Sequence, residues 1–275
     1  IGNQVWIIPK HIMQDVAPAD FDKSDFWLNA TVGTGPFKFV RYETDQFIEY
    51  ARNDDYYRGA PHLDKVIISI VTPATMVAQL EKGEVDIAIA GGIGDIPLDD
   101  WERVQALPNV TSVGYQDNGY QYMIINGDPA KPWADKRIRQ ALAYGINRQL
   151  IVDSLLKGEG VVAQGPIVPV TFYYNPEVEG QFAYDPEKAK ELLAEAGWDA
   201  NQEITLLVPI GNVVRELSAD IIQANLTEIG MKISIEKMDF PTLMARFGAS
   251  EFDLGLVGWG GLIDPDVRSQ FQTGG

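Results

Sequence analysis

The chain has 275 residues, 45% of them hydrophobic, with a formal net charge of −17 and no cysteine. That is enough apolar material for one large or two smaller α/β domains, while so acidic a surface repels phosphate backbones and anionic headgroups and argues against nucleic acid as a partner. The lack of cysteine excludes disulfides, thiolate catalysis and cysteine-based metal sites, and the longest apolar runs fall far short of the roughly 20 residues of a membrane span.

In chain order, the first predicted element is a β-hairpin over residues 31–51. Gly33-Thr34-Gly35-Pro36 breaks the chain, and two apolar stretches then flank the polar turn Glu43-Thr44-Asp45-Gln46. A strand–helix–strand unit follows. The apolar run 66–71 reads as a buried strand of a parallel sheet. Thr72 and Pro73 open a helix with the stripe Met76, Val77 and Leu80, Gly83 closes it, and residues 85–90 form the next strand, ended by Gly91-Gly92.

The second half repeats this style. A strand is predicted over 120–125. Asp135 caps a helix that buries Ile138, Ala141, Leu142 and Gly145. The stretch 158–181 reads as an ordered loop packed by Phe172, Tyr173 and Tyr174. Asp185-Pro186-Glu187 opens a helix with Ala189, Leu192, Leu193 and Ala196 on one face and Gly197 as its stop. Strands over 204–208, 232–238 and 252–259 then alternate with helices over 213–229 and 242–247. Two α/β lobes with a boundary near residue 117 fit this order.

Motifs for chemistry are scarce. His11 and His62 lack metal-ligand spacing, and there is neither a phosphate-binding loop nor a Gly-x-Ser-x-Gly elbow. Gly91-Gly92-Ile93-Gly94 lacks the spacing of a dinucleotide loop and reads as a tight turn. Asp264-Pro265-Asp266 sets two carboxylates beyond a strand. They suit a proline turn, and alternatively a bound cation or acid–base chemistry in a carboxylate-dependent hydrolase. Trp259 closes an apolar strand between Gly258, Gly260 and Gly261. The glycines suit either a ligand lying against the indole or close core packing. Tyr120 and Tyr122 share one face of their strand, where core packing is the simpler role.

Several segments together resemble the family 5 extracellular solute-binding proteins, the peptide, nickel and oligosaccharide receptors of ABC importers. They are Gly33-Thr34-Gly35-Pro36-Phe37, Asn53-Asp54-Asp55-Tyr56, Gly83-Glu84-Val85-Asp86, Asp135-Lys136-Arg137-Ile138-Arg139-Gln140-Ala141, Asp185-Pro186-Glu187-Lys188-Ala189 and Ala196-Gly197-Trp198, in the family's order. The resemblance implies a two-lobed, type II periplasmic-binding-protein-like fold, each lobe a mixed sheet flanked by helices. Residues 1–117 would be the middle portion of lobe one and 118–275 most of the second lobe. Ile1-Gly2-Asn3 and Thr273-Gly274-Gly275 read as cuts through a longer protein.

The implied function is capture of a small polar ligand, an oligopeptide or oligosaccharide, for delivery to ABC transporter permease subunits, with no enzymatic chemistry, cofactor or metal. The implied location is periplasmic or extracellular, with lipid anchoring through a missing N-terminus as one form of it. Gly258 and Trp259 match the glycine–tryptophan strand end that lines the family's cleft. Phe240, Tyr120 and Tyr122 stand where pocket aromatics occur. Dipeptide and oligopeptide receptors place an aspartate three residues after that tryptophan to hold the ligand's ammonium, whereas this chain has Leu262. Asp264 is the substitute only if the loop is rebuilt, since an unpaired buried ammonium is costly.

Overall fold

The computed structural model describes residues 8–24, 26, 32–88 and 96–260. The chain falls into two compact units, residues 1–76 and 77–275.

In the first unit, the short helix α1 (Lys10–Met13) precedes a three-stranded antiparallel sheet of β1 (Phe37–Glu43), β2 (Phe47–Arg52) and β3 (Lys65–Ser69), in that order. The predicted hairpin is present, turning at residues 44–46 with Asp45 at φ 59°. Asn53 fixes its base: its Nδ2 donates to the Gly35 carbonyl at 2.9 Å, and its Oδ1 accepts from the Asp55 amide at 3.2 Å. The run 66–71 behaves differently from its prediction. Among the described residues β3 is an edge strand paired antiparallel to β2, and Ile67 and Ile68 are each 49% exposed. An unbroken apolar run is the signature of a strand covered on both faces, but Ile67 and Ile68 project to opposite faces and both are open.

Helix α2 (Pro73–Lys82) follows, with Thr72 Oγ1 accepting from the Thr75 amide as its N-cap and Gly83 at φ 68° ending it. Val77 and Leu80 are buried, as the stripe requires. The predicted strand over 85–90 is absent in its described part: residues 85–88 make no ladder, and the rest, with Gly91-Gly92, lies outside the described residues. No parallel strand–helix–strand unit therefore forms there among the described residues.

The second unit carries α3 (Trp101–Gln105), β4 (Tyr120–Ile125), α4 (Lys136–Gly145), α5 (Arg148–Leu155), α6 (Pro186–Ala196), β5 (Glu203–Pro209), α7 (Val213–Glu228), β6 (Lys232–Met238), α8 (Phe240–Gly248) and β7 (Leu254–Trp259). The four strands form a mixed sheet in the order β4-β7-β5-β6. β5 runs parallel to both its neighbours, and β4 runs antiparallel to β7. The helices begin where capping chemistry dictates. Asp135, Asp185, Asn212 and Asp239 each accept a backbone N–H of the first turn, and Gly197 closes α6 at φ 71°.

Alternation along the strands builds two cores. Ile204, Leu206 and Val208 of β5, with Leu254 and Leu256 of β7, pack beneath α4, α6 and α7 through Leu142, Leu192, Leu193, Ile222 and Leu226. On the opposite face Leu207 and Val257 meet Leu243 of α8 and Phe252, with Tyr122, Ile124, Met238 and Phe247 packed around them. Gly255 is small because Phe247 lies over it: a Cβ there would meet that ring and come within 3.2 Å of Ile124.

The loop over 158–181 is anchored differently from its prediction. Tyr173 and Tyr174 are half-buried, but Phe172 is 92% exposed and touches Tyr173 edge-on. What holds the segment is Arg148, whose guanidinium donates to the carbonyls of Ala163, Gln181 and Phe182.

Candidate functional site

Because β5, β6 and β7 are parallel and β4 opposes them, one end of the sheet collects the last residues of three strands and the first residue of the fourth. Pro209, Met238, Trp259 and Tyr120 stand there. In open α/β sheets this carboxyl end is where ligands gather. Trp259 is the last residue of β7 and pairs directly across from Tyr120; Gly258 pairs with Gln121 and Val257 with Tyr122. Alternation puts Trp259, Tyr120 and Tyr122 on the face that α8 covers. The two tyrosine rings lie 5.4 Å apart at 45°. Tyr122 reaches down to the Leu207–Val257 core, whereas Tyr120 and Trp259 stand above it, half-buried. Burial raises the pKa of both phenols above the ordinary value, so they are neutral hydrogen-bonding groups.

Phe240 is brought to the same end of the sheet as the first residue of α8, directly after the Asp239 cap, and is 51% exposed. It belongs to the β6 side, so two strand spacings, about 10 Å, separate its strand from β7. Beside the start of β4, Tyr115, Asn118, Thr171, Phe172 and Tyr173 line an open groove of about 440 Å³. The sheet end therefore brings together Tyr120, Tyr122, Gly258 and Trp259, and carries Phe240 at its far side. Asp264, Asp266 and Leu262 lie outside the described residues.

Gly258 faces the other way from Trp259, towards α7. A Cβ at Gly258 would overlap Arg215 Nη2 and come within 2.5 Å of Gln121 Nε2. Its lack of a side chain is thus explained by a polar pair on the back of the β4–β7 ladder, where Arg215 Nε donates to Gln121 Oε1 at 2.6 Å. Arg215 sits in the first turn of α7, and its burial lowers the guanidinium pKa from its ordinary value. Neither Arg215 nor Gln121 was picked out from sequence. The available signal was a cation three residues after the cap Asn212, at the end of a helix that disfavours positive charge.

Other chemistry is thin. Among the described residues no group of three or more His, Asp or Glu side chains could hold a metal ion, and no helix is long and apolar enough to cross a membrane.

Comparison with known proteins agrees with this architecture. The family model described as "Bacterial extracellular solute-binding proteins, family 5 Middle" matches residues 3–274. The oligopeptide-binding protein AppA of Bacillus subtilis is 32% identical over 97% of this chain and 51% of its own length. Its structure in complex with a nonapeptide superposes with a TM-score of 0.84, at 31% identity over 95% of this chain and 54% of that one. Heme-binding protein A of Haemophilus influenzae is 33% identical over 86% of this chain and 43% of its own length. NikZ of Campylobacter jejuni, solved in complex with Ni(L-His), has a TM-score of 0.77 at 26% identity, covering 94% of this chain and 52% of that one. The chain thus spans about half the length of the relatives it matches. Its α/β fold is that of the type II periplasmic binding proteins. With the family model matched over nearly all of its length, the chain belongs to the family 5 bacterial extracellular solute-binding proteins.

Proposed function

We propose that this chain is the middle part of an extracytoplasmic receptor that captures an oligopeptide and delivers it to the permease subunits of an ABC importer. The observation that carries this reading is the likeness to AppA, an oligopeptide-binding protein, across 97% of the chain. Residues 1–117 would belong to lobe one and 118–275 to lobe two, and the mechanism would be closure of the lobes around the ligand. Tyr120, Tyr122, Trp259 and Gly258 would form one wall of the cleft, with Phe240 at its far side. Half-buried rings at the carboxyl end of a sheet offer apolar area with a polar tip, which suits side chains of varied sequence. Asp264, five residues after Trp259, would offer this wall an acidic group.

A hydrolase built on Asp264 and Asp266 finds no support, since the family is one of solute-binding proteins. The location follows the family, outside the cytoplasm, and a lipid anchor would keep such a receptor beside its permease. The test is native mass spectrometry of the full-length receptor as purified, followed by calorimetry with peptides and with oligosaccharides. Retained peptide, and micromolar or tighter peptide binding, is the expected result. Binding of oligosaccharide alone would overturn the peptide assignment.

A further inference from the structure

We infer that Asp99 and Lys157 form a latch between the two lobes, an ion pair that is made when the cleft is closed and parted when it opens. This rests on the receptor reading above, in which residues 1–117 and 118–275 belong to different lobes, and adds to it a device that sets how long a ligand is held.

Lys157 Nζ lies 2.8 Å from Asp99 Oδ1 and donates to the Leu98 carbonyl at 3.4 Å. Among the described residues every other ion pair has both partners before residue 117 or both after it, and this one crosses. Residues 77–117 share one compact unit with the residues that follow them, the arrangement in which the pair is joined.

Both partners are presented by fixed backbone. Lys157 follows α5, whose end is closed by the Gly158 amide on the Val152 carbonyl at 3.1 Å and the Glu159 amide on the Leu156 carbonyl at 2.8 Å. Lys157 is at φ 49°, a left-handed conformation that disfavours a residue with a Cβ, and Gly158 follows at φ 81°. An acid one helical turn back, Asp153, accepts from Gln149 at 2.8 Å and is not the partner of Lys157. Asp99 stands in the turn before α3, closed by the Asp100 amide on the Pro97 carbonyl at 2.8 Å and the Trp101 amide on the Leu98 carbonyl at 3.3 Å. The nearby cation Arg103 is taken by Asp100 at 3.2 Å and Glu81 at 3.0 Å, which leaves Asp99 to Lys157. Hydrogen bonding between the two holds the Asp99 carboxyl below its usual range and the Lys157 ammonium above its own.

The side chains are 55% and 91% exposed. Water therefore solvates both when they part, and no buried charge is left behind, unlike the breaking of an interior pair. An exposed pair is weak, and weakness suits a receptor that must release its cargo. A contact made in one state shifts the open–closed equilibrium by its own free energy and no more. For an exposed pair that shift is about twofold to fivefold, and salt screens it.

The experiment uses the full-length receptor with dyes on the cysteines of Asp55→Cys and Glu187→Cys, one on each proposed lobe, and a nonapeptide library as the ligand. Single-molecule energy transfer gives the closed-to-open ratio, and stopped flow gives the rate of peptide release. Both are measured on wild type, Asp99→Asn, Lys157→Met and the double variant. Lys157→Met keeps the apolar stem and the same backbone demand, so folding is matched. Each single variant should lower the closed-to-open ratio and speed release by about twofold to fivefold. The double variant should be no worse than either single one, the mark of a shared contact. In about 1 M salt the difference from wild type should vanish. Additive effects of the two substitutions, or unchanged ratios and release rates while wild type closes on peptide, overturn the latch and leave the receptor reading standing. A wild type that binds no peptide, or binds it without a change in energy transfer, overturns the closure mechanism and the latch with it.

Discussion

The two ends of the four-stranded sheet are built to opposite rules. At the amino end of β5 and β7, the side chains of Asn126 and Asp253 are closed off by hydrogen bonds. The buried Asn126 donates to the Ser250 and Phe252 carbonyls at 2.9 and 2.7 Å and accepts from the Asp128 amide, while Asp253 joins Lys131 at 2.7 Å and the Thr205 amide at 3.0 Å. At the carboxyl end, 20 Å or so along strands of six or seven residues, half-buried aromatic rings stand on one face and the Arg215–Gln121 pair on the other. The same strands run through both. The difference teaches that the strand core sets stability, while buried side-chain hydrogen bonds tie down one end and half-buried aromatic rings are left accessible at the other.

The strongest break of this comparison is at the closed end. Asn126→Ala leaves the buried Phe252 carbonyl and the part-buried Ser250 carbonyl without their donor. It should lower stability by roughly 2–4 kcal/mol, about 1–3 kcal/mol for the buried carbonyl and about 1 kcal/mol for the part-buried one, read as a shift in the urea midpoint with little change in affinity. At the open end, Trp259→Ala should do the reverse, weakening peptide binding by about 1–4 kcal/mol as for central aromatic anchors while moving the melting temperature much less. A core tryptophan would instead cost about 3–5 kcal/mol of stability.

A sharper probe is Gly258→Ala, which forces a methyl group into the Arg215–Gln121 pair. Overpacking of this kind costs about 1–3 kcal/mol. The Gln121→Ala background should relieve part of it, which a double-mutant cycle on thermal stability would show. The smallest effect concerns Asp239, the cap of α8 that places Phe240. Its hydrogen bonds from the Thr242 amide and hydroxyl hold its carboxyl below the usual carboxylate range. A depressed folded-state pKa gives stability that is present above the unfolded value and is lost as pH falls through the folded one. Asp239→Asn should therefore flatten the acid limb of a melting temperature against pH profile below about pH 4 and leave neutral pH nearly unchanged.

Much of this layout is legible in the sequence wherever a local signal and the tertiary outcome agree. Asp135 and Asp185 cap the helices they announce, and strands β4 and β6 fall where alternation and apolar runs put them. Trp259 at a strand end was readable for the same reason. The run 66–71 misled because apolar content does not distinguish an inner strand from an edge strand. Phe172 misled because an aromatic in a proline-rich loop has no periodicity to reveal its exposure. The Arg215–Gln121–Gly258 cluster was not readable at all, since it joins positions 121, 215 and 258 through strand pairing and a helix that only the folded sheet brings together.

Amide hydrogen exchange of the full-length receptor, with and without a saturating nonapeptide, tests the assignment of the carboxyl end most directly. Ligand should slow exchange in residues 119–122, 211–215 and 257–260. Residues 125–128 and 250–254, already protected at the closed end, should change little. Protection confined to the closed end, or absent from the segment around Trp259 while peptide is demonstrably bound, would contradict the account.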